Sequence, residues 1–196
     1  FWLRQTAERN SIVRKLQVIK MRGQASVPGL HTFRITDAGL QAFSRTFGLT
    51  RQKRDLPDAR RICFGIPKLD AMLGGGVPEG DSILVTGASG TGKSVLATQF
   101  IAEGISKGEP GIVAVFEERP QTYTERAGSM GLDLAKPQAE GKLLILYLRP
   151  LDLSVDETMN EILDSVKRLG ARRLVIDSLA GFEKALSPGF RGDFCE

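Results

Sequence analysis

The sequence predicts an α/β fold, a mostly parallel sheet flanked by helices, preceded by a short β-rich segment. Three observations lead there. Between residues 82 and 178, short apolar runs alternate with segments of helical spacing, which is how strands with crossover helices read. "GIVAVFEE" is almost continuously apolar before its acids, as a strand buried on both faces should be. Finally, "TGASGTGKS" joins a short apolar run to a helical pattern, the place where such sheets build phosphate loops.

Taken in order, residues 11 to 22, "SIVRKLQVIKMR", predict a strand on their β-branched content, and a second short strand is expected from His31 to Ile35. A turn at Asp37 to Gly39 leads to a further short strand. Ser82 to Val85 predicts the strand before the glycine loop, and a helix follows from Lys93 to about Lys107 with Val95, Leu96, Phe100, Ile101 and Ile105 on its inner face. "RPQTYTERAGSMG" predicts a short helix closed by glycine, and "KLLILYLRP" the next strand. In "SVDETMNEILDSVKRLGA", Val155, Met159, Ile162, Leu163, Val166 and Leu169 recur at helical spacing. "RRLVIDS" reads as the last strand.

Composition sets broad bounds. Hydrophobic residues make up 41% of the 196 and charged residues 26%, a balance suited to a packed soluble domain. No apolar run nears the roughly 20 residues that cross a bilayer. The opening "FWLRQTAERN" has neither an initiator Met nor the pattern of a signal peptide. Cys63 and Cys195 lie far apart and match no metal-ligand spacing, which fits free thiols in a reducing cytoplasm. The formal net charge is +4, with a cluster in "RTFGLTRQKRDLPDARR". Such a stretch suits either a solvated linker or a surface for nucleic acid or acidic lipid. The linker is favoured, because apolar periodicity stops before it and resumes after it.

The chemistry centres on Gly87, Ala88, Ser89, Gly90, Thr91, Gly92, Lys93 and Ser94, which fit G-x-x-x-x-G-K-[ST]. Glycines let backbone amides turn toward an anion, and a helix N-terminus adds its positive dipole end. Lys93 then reaches the outer phosphates and the Ser94 hydroxyl ligates Mg²⁺. Asp177 ends "RRLVID", the place of the acid that holds the magnesium shell. Glu117 and Glu118 follow a buried strand at the carboxyl edge, where ligands of α/β sheets sit. One of the two is expected to act as the base that activates water, with the other supporting it; the sequence does not choose between them.

"GIPKLDAMLGGGVPEGDSILVTGASGTGKS", with "FEERP" and "LVIDSLAGFE", resembles the RecA-like P-loop ATPases of the circadian clock KaiC family over essentially the whole chain. Leu69, Asp70 and the Gly74 to Gly76 run are shared with RadA-type relatives, whereas the glutamate pair points more narrowly to KaiC. The resemblance implies ATP and Mg²⁺ as ligands, a homo-hexameric ring, serine/threonine autokinase activity, regulatory protein partners and Glu117 and Glu118 as catalytic acids. It also divides the chain into residues 1–45 as the tail of a preceding domain, 46–59 as a basic linker and 60–196 as part of an ATPase domain. "LQVIKMRGQ" resembles the end of the first KaiC domain, so Lys20 and Arg22 are implied to reach the first-domain nucleotide of a neighbouring subunit, not the one at Lys93, and their spacing places both on one face of a strand. His31 is the only histidine; it suits a packed or surface side chain, or a contact near that same intersubunit site. The family also implies a further strand between the phosphate-loop strand and the Asp177 strand, and phosphoacceptor residues beyond Glu196.

A DNA-dependent motor of the RecA or RadA kind is the alternative. It wants basic loops with aromatic platforms, whereas aromatics are 7% here and the basic cluster falls in the linker. Nucleic acid is therefore not the expected partner.

Overall fold

The structure, a computed structural model, describes residues 1–8, 11–23, 27–43, 60–148 and 154–185. The basic linker of residues 46–59 and Cys195 lie outside the described residues. The chain forms two compact units, one of Phe1–Gln52, Arg149–Leu163 and Ala180–Glu196, the other of Lys53–Leu148 and Asp164–Leu179.

In the first unit, β1 (Trp2–Glu8), β2 (Ser11–Gln17), β3 (Leu30–Thr36) and β4 (Gly39–Phe43) make an antiparallel sheet in sequence order. β1 has no counterpart in the sequence reading. Its apolar residues, Trp2 and Leu3, point to opposite faces and both stay exposed, so the alternation that marks a half-buried strand is missing. The strand expected over residues 11 to 22 ends at Gln17. Lys20 and Arg22 therefore lie beyond it, exposed and without regular structure, rather than on one strand face. His31 is packed: it is buried on β3 and its Nε2 lies 3.0 Å from the Val27 carbonyl.

The second unit begins with β5 (Arg61–Ile62), α1 (Pro67–Met72) and β6 (Val77–Pro78), where β5 and β6 pair antiparallel. One side chain organises this entry. Asp70 accepts the backbone N–H groups of Phe64 at 2.7 Å and of Gly65 and Ile66 at 3.1 Å each. Donors that would otherwise be orphaned at the start of α1 are thereby satisfied.

Helix α2 (Lys93–Ser106), β7 (Gly111–Val115), α3 (Pro120–Ser129), α4 (Ala135–Ala139), β8 (Leu143–Tyr147), α5 (Val155–Leu169), β9 (Arg173–Asp177) and α6 (Leu179–Ala185) follow. β7 is the centre of a parallel three-stranded sheet of order β8-β7-β9. All five of its residues are buried, as its unbroken apolar run requires. Ile101 of α2, Val113 and Val115 of β7, Tyr123 and Ala127 of α3, Leu134, and Leu143 and Ile145 of β8 form the core. Each large apolar side chain buried there contributes about 1.5–3 kcal/mol.

Three further expectations change. Residues 82–85 form no strand, and Ile83, Leu84 and Val85 are exposed. An extended apolar run becomes a strand only when a ladder partner takes its amides and carbonyls, and none among the described residues pairs with it. The buried residues of α2 are Thr98, Ile101 and Gly104, while Val95 is exposed. Likewise Leu163 of α5 is exposed, and Glu157, Thr158, Ile162 and Ser165 are buried. In both helices, polar side chains with partners share the inward face, which a purely apolar count misplaces. At the start of α5, Ser154 and Glu157 form a capping box: the Ser154 N–H donates to Glu157 Oε2 at 2.7 Å and the Glu157 N–H to Ser154 Oγ at 3.2 Å. Arg34 of β3 donates to the other Glu157 oxygen.

Candidate nucleotide site

The phosphate-loop motif sits at the N-terminus of α2, with Lys93 as the helix's first residue. Gly90 and Gly92 have φ of 81° and 92°, which a side chain at either position would resist. Gly92 is the N-cap, and no side chain caps the helix there. The first amides of α2 are thus left to an anion rather than to a Ser or Asp. The Lys93 ammonium donates to the Gly87 and Ala88 carbonyls, both at 2.8 Å. Thr91 Oγ1 donates to the Ala88 carbonyl at 2.8 Å, which braces the turn. Residues 86–91 are exposed, and Gly92, Lys93 and Ser94 are half-buried.

Register brings the acids to one end of the sheet. Val115 of β7 lies opposite Asp177 of β9, so Glu117 and Glu118, just past Val115, emerge at the same carboxyl edge. The two glutamates differ: Glu117 is exposed and Glu118 half-buried. Arg126 of α3 donates from Nη2 to Glu118 Oε1, and the same nitrogen lies 3.8 Å from Asp177 Oδ2. That Asp177 oxygen is buried and has no hydrogen-bond partner among the described residues.

Sequence reading did not single out Arg126, nor the pair behind it. The Arg126 guanidinium lies over the Tyr123 ring, 4.8 Å from its centroid. The fully buried Tyr123 hydroxyl is 2.8 Å from Thr98 Oγ1, and Thr98 donates to the Ser94 carbonyl at 2.7 Å. With its one proton spent there, Thr98 accepts and Tyr123 donates. Burial pushes the Tyr123 hydroxyl up to about 12, against the smaller opposing effect of the Thr98 bond. The signals were present in the spacing: Thr98 follows Ser94 by one helical turn, and Tyr123 and Arg126 are three apart on α3.

Among the described residues no group of three or more His, Cys, Asp or Glu could hold a metal ion. Mg²⁺ takes one or two protein oxygens and completes its shell with phosphates and water. The orphaned Asp177 Oδ2 is an oxygen of the right kind, and Ser94 with Asp177 would form the protein side of the shell. Lys20 and Arg22 lie in the other unit. No helix among the described residues is long and apolar enough to cross a membrane.

The family model described as "ATPase: KaiC" matches residues 62–194. The circadian clock oscillator protein KaiC of Picosynechococcus sp. (strain ATCC 27264 / PCC 7002 / PR-6) is 31% identical over 185 residues, which is 94% of this chain and 35% of that protein. KaiC of Acaryochloris marina (strain MBIC 11017) is 32% identical over 174 residues, covering 89% of this chain and 33% of the relative. The circadian clock oscillator protein KaiC 1 of Synechocystis sp. (strain ATCC 27184 / PCC 6803 / Kazusa) is 30% identical over 185 residues, again 94% of this chain and 35% of the relative. The chain thus spans about a third of the length of the curated relatives it matches. Phosphate loop, acid pair and family match coincide on one stretch, and the chain belongs to the KaiC ATPase family.

Proposed function

We propose that this chain binds ATP with Mg²⁺ at the 87–94 loop and hydrolyses it, as one subunit of a homo-hexameric ring. The observation that carries the reading is the joint placement of Glu118 and Asp177, bridged by Arg126, in the unit whose phosphate loop opens α2. The loop amides and Lys93 bind the phosphates. Mg²⁺, held by Ser94 and Asp177, would supply charge neutralisation on the phosphate oxygens. Glu117, exposed at the carboxyl edge, takes the proton of the attacking water. Glu118, half-buried with one oxygen held by Arg126, supports it. A base in that position contributes about 10²–10⁴-fold.

In a ring, Lys20 and Arg22 serve the nucleotide of the neighbouring subunit's first domain, not the one at Lys93. Their exposure suits a role outside their own unit, and a basic residue offered in trans offsets charge on the transferred phosphate. On the same reading, residues 1–45 are the tail of a preceding domain, 46–59 a basic linker and 60–196 the RecA-like ATPase domain. Transfer to serine or threonine instead of water would make the protein an autokinase, with other proteins reading its state. These steps rest on the family.

Native mass spectrometry with and without Mg-ATP tests the reading, with Lys93→Ala as control. Nucleotide-dependent rings that the Lys93→Ala variant fails to form are the expected result. Rings that form equally with and without nucleotide, and equally in the variant, overturn it.

A further inference from the structure

We propose that Arg126 is the positioning residue of this ATP site: it aims Glu118 and competes with the divalent cation for Asp177. The proposal rests on the ATPase reading above and goes beyond it by naming how the acids are set.

One guanidinium nitrogen serves both acids. Nη2 hydrogen-bonds Glu118 Oε1 but stands 3.8 Å from Asp177 Oδ2, a distance at which charge attracts and no hydrogen bond forms. Asp177 Oδ2 is left buried without a donor, which costs free energy unless another cation claims it. Arg126 is thus close enough to hold the oxygen's charge and too far to satisfy it. A divalent cation at Asp177 would displace only an ion pair.

Arg126 itself is held from behind. Its side chain is 33% exposed, packed over the Tyr123 ring, and Tyr123 is pinned through Thr98 to the Ser94 carbonyl. That path leads from the Ser94 turn of α2 to the guanidinium, so the arginine keeps its place while Glu118 takes its direction from it. A lysine would keep the charge but lose the planar fork and the stacked guanidinium.

Two effects of opposite sign follow from removing the charge. Without Arg126 the cation meets no competitor at Asp177, so it binds more tightly. Glu118 loses its anchor, so turnover falls. A merely structural arginine would weaken both together.

The test titrates a fluorescent ADP analogue into the full chain at a series of Mg²⁺ concentrations, and measures ATP turnover separately. Arg126→Gln is expected to lower the half-saturating Mg²⁺ by about two- to fivefold, the range of a partly exposed ion pair, while turnover drops by about tenfold. Arg126→Lys should keep the wild-type Mg²⁺ dependence and still lose turnover. If Arg126→Gln does not fold, Arg126→Lys decides: Mg²⁺ dependence weakened along with turnover overturns the proposal. Unchanged or weaker Mg²⁺ binding in Arg126→Gln also overturns it, and leaves the ATPase reading standing provided the wild type binds and Lys93→Ala does not. A wild type without Mg²⁺-dependent binding overturns both.

Discussion

Arg173 Nε donates to Glu109 Oε2 at 2.8 Å, with the arginine side chain 2% exposed and the carboxylate 8%. The same guanidinium donates through Nη1 to the carbonyls of Cys63 at 2.7 Å and Phe100 at 2.8 Å, and lies over the Phe100 ring at 4.6 Å. Arg60 adds a second cation to Glu109. One residue of β9 thus ties together the strand that carries Asp177, the phosphate-loop helix and the start of the unit.

Removing one partner of a buried pair strands the other. Arg173→Leu leaves Glu109 with only the more exposed Arg60, and also frees two carbonyls. The expected loss is about 3–5 kcal/mol, read as a shift of the urea midpoint.

The pair also sets an acid limit. Burial would raise the Glu109 carboxyl, but the Arg173 hydrogen bond and charge, with Arg60 assisting, outweigh it and hold the group below the usual carboxylate range. A depressed folded value means that the stabilisation is fully present above the unfolded value, about 4.3. It disappears as pH falls through the lower folded value. Urea midpoints of the wild type should therefore decline below about pH 4, and Glu109→Gln should lose that part of the slope. An unchanged slope in Glu109→Gln would sink the assignment.

Gly104 offers a test in which two rules disagree. Helix propensity says that Gly→Ala in a helix gains about 1 kcal/mol. Yet a Cβ at Gly104 would stand 2.4 Å from both Cδ and Nε of Arg173. Since Arg173 is locked by Glu109 and two carbonyls, it has nowhere to yield. Overpacking of this kind costs about 1–3 kcal/mol, so Gly104→Ala should lower the thermal midpoint, while Gly128→Ala on α3, where a Cβ meets nothing, should not.

How much of this was legible in the sequence follows from what kind of signal each part leaves. The α2 start, β7 and β9 were visible because motif spacing and continuous apolar runs are local properties. The strand expected at 82–85 is a non-local matter: its apolar residues fit, but a strand depends on a ladder partner elsewhere in the chain. β1 escaped notice because its apolar side chains are exposed on both faces. Within the site, Lys93, Ser94, Glu118 and Asp177 could be picked by residue type. Arg126 could not, since arginine is common on helix surfaces and only the fold sets it beside both acids. Tyr123 and Thr98 read as an ordinary aromatic and an ordinary helix threonine until α2 and α3 are packed together.

Asp70 stands in α1, and the structure gives the reason for an acid there. Its carboxylate takes three backbone donors at the entry to α1. Asp70→Ala orphans them, at an expected cost of about 1–3 kcal/mol. Asp70→Asn keeps acceptor capacity in one oxygen only and should fall between. Equal urea midpoints for the wild type and Asp70→Ala would show that solvent satisfies these amides as well as the carboxylate does.

Tyr123 makes the opposite pH prediction to Glu109. Its hydroxyl is pushed up to about 12, first by burial, with the nearby charges of Asp177 and Glu118 adding to the effect and Thr98 and Arg126 opposing it. The unfolded hydroxyl titrates near 10. A raised folded value means that the stabilisation is complete below about pH 10 and is lost as pH climbs from there toward 12, up to about 2.7 kcal/mol at 1.36 kcal/mol per unit. Tyr123→Phe has no proton to lose. At neutral pH it should cost about 1 kcal/mol for the missing bond to Thr98, and between pH 10 and 12 its stability should decline less steeply than that of the wild type. Chemical denaturation at pH 8, 10 and 11.5 separates the two terms. If the variant parallels the wild type through the alkaline range, the Tyr123 hydroxyl is not the group that titrates, and the chain from Ser94 through Thr98 to Arg126 lacks its middle link.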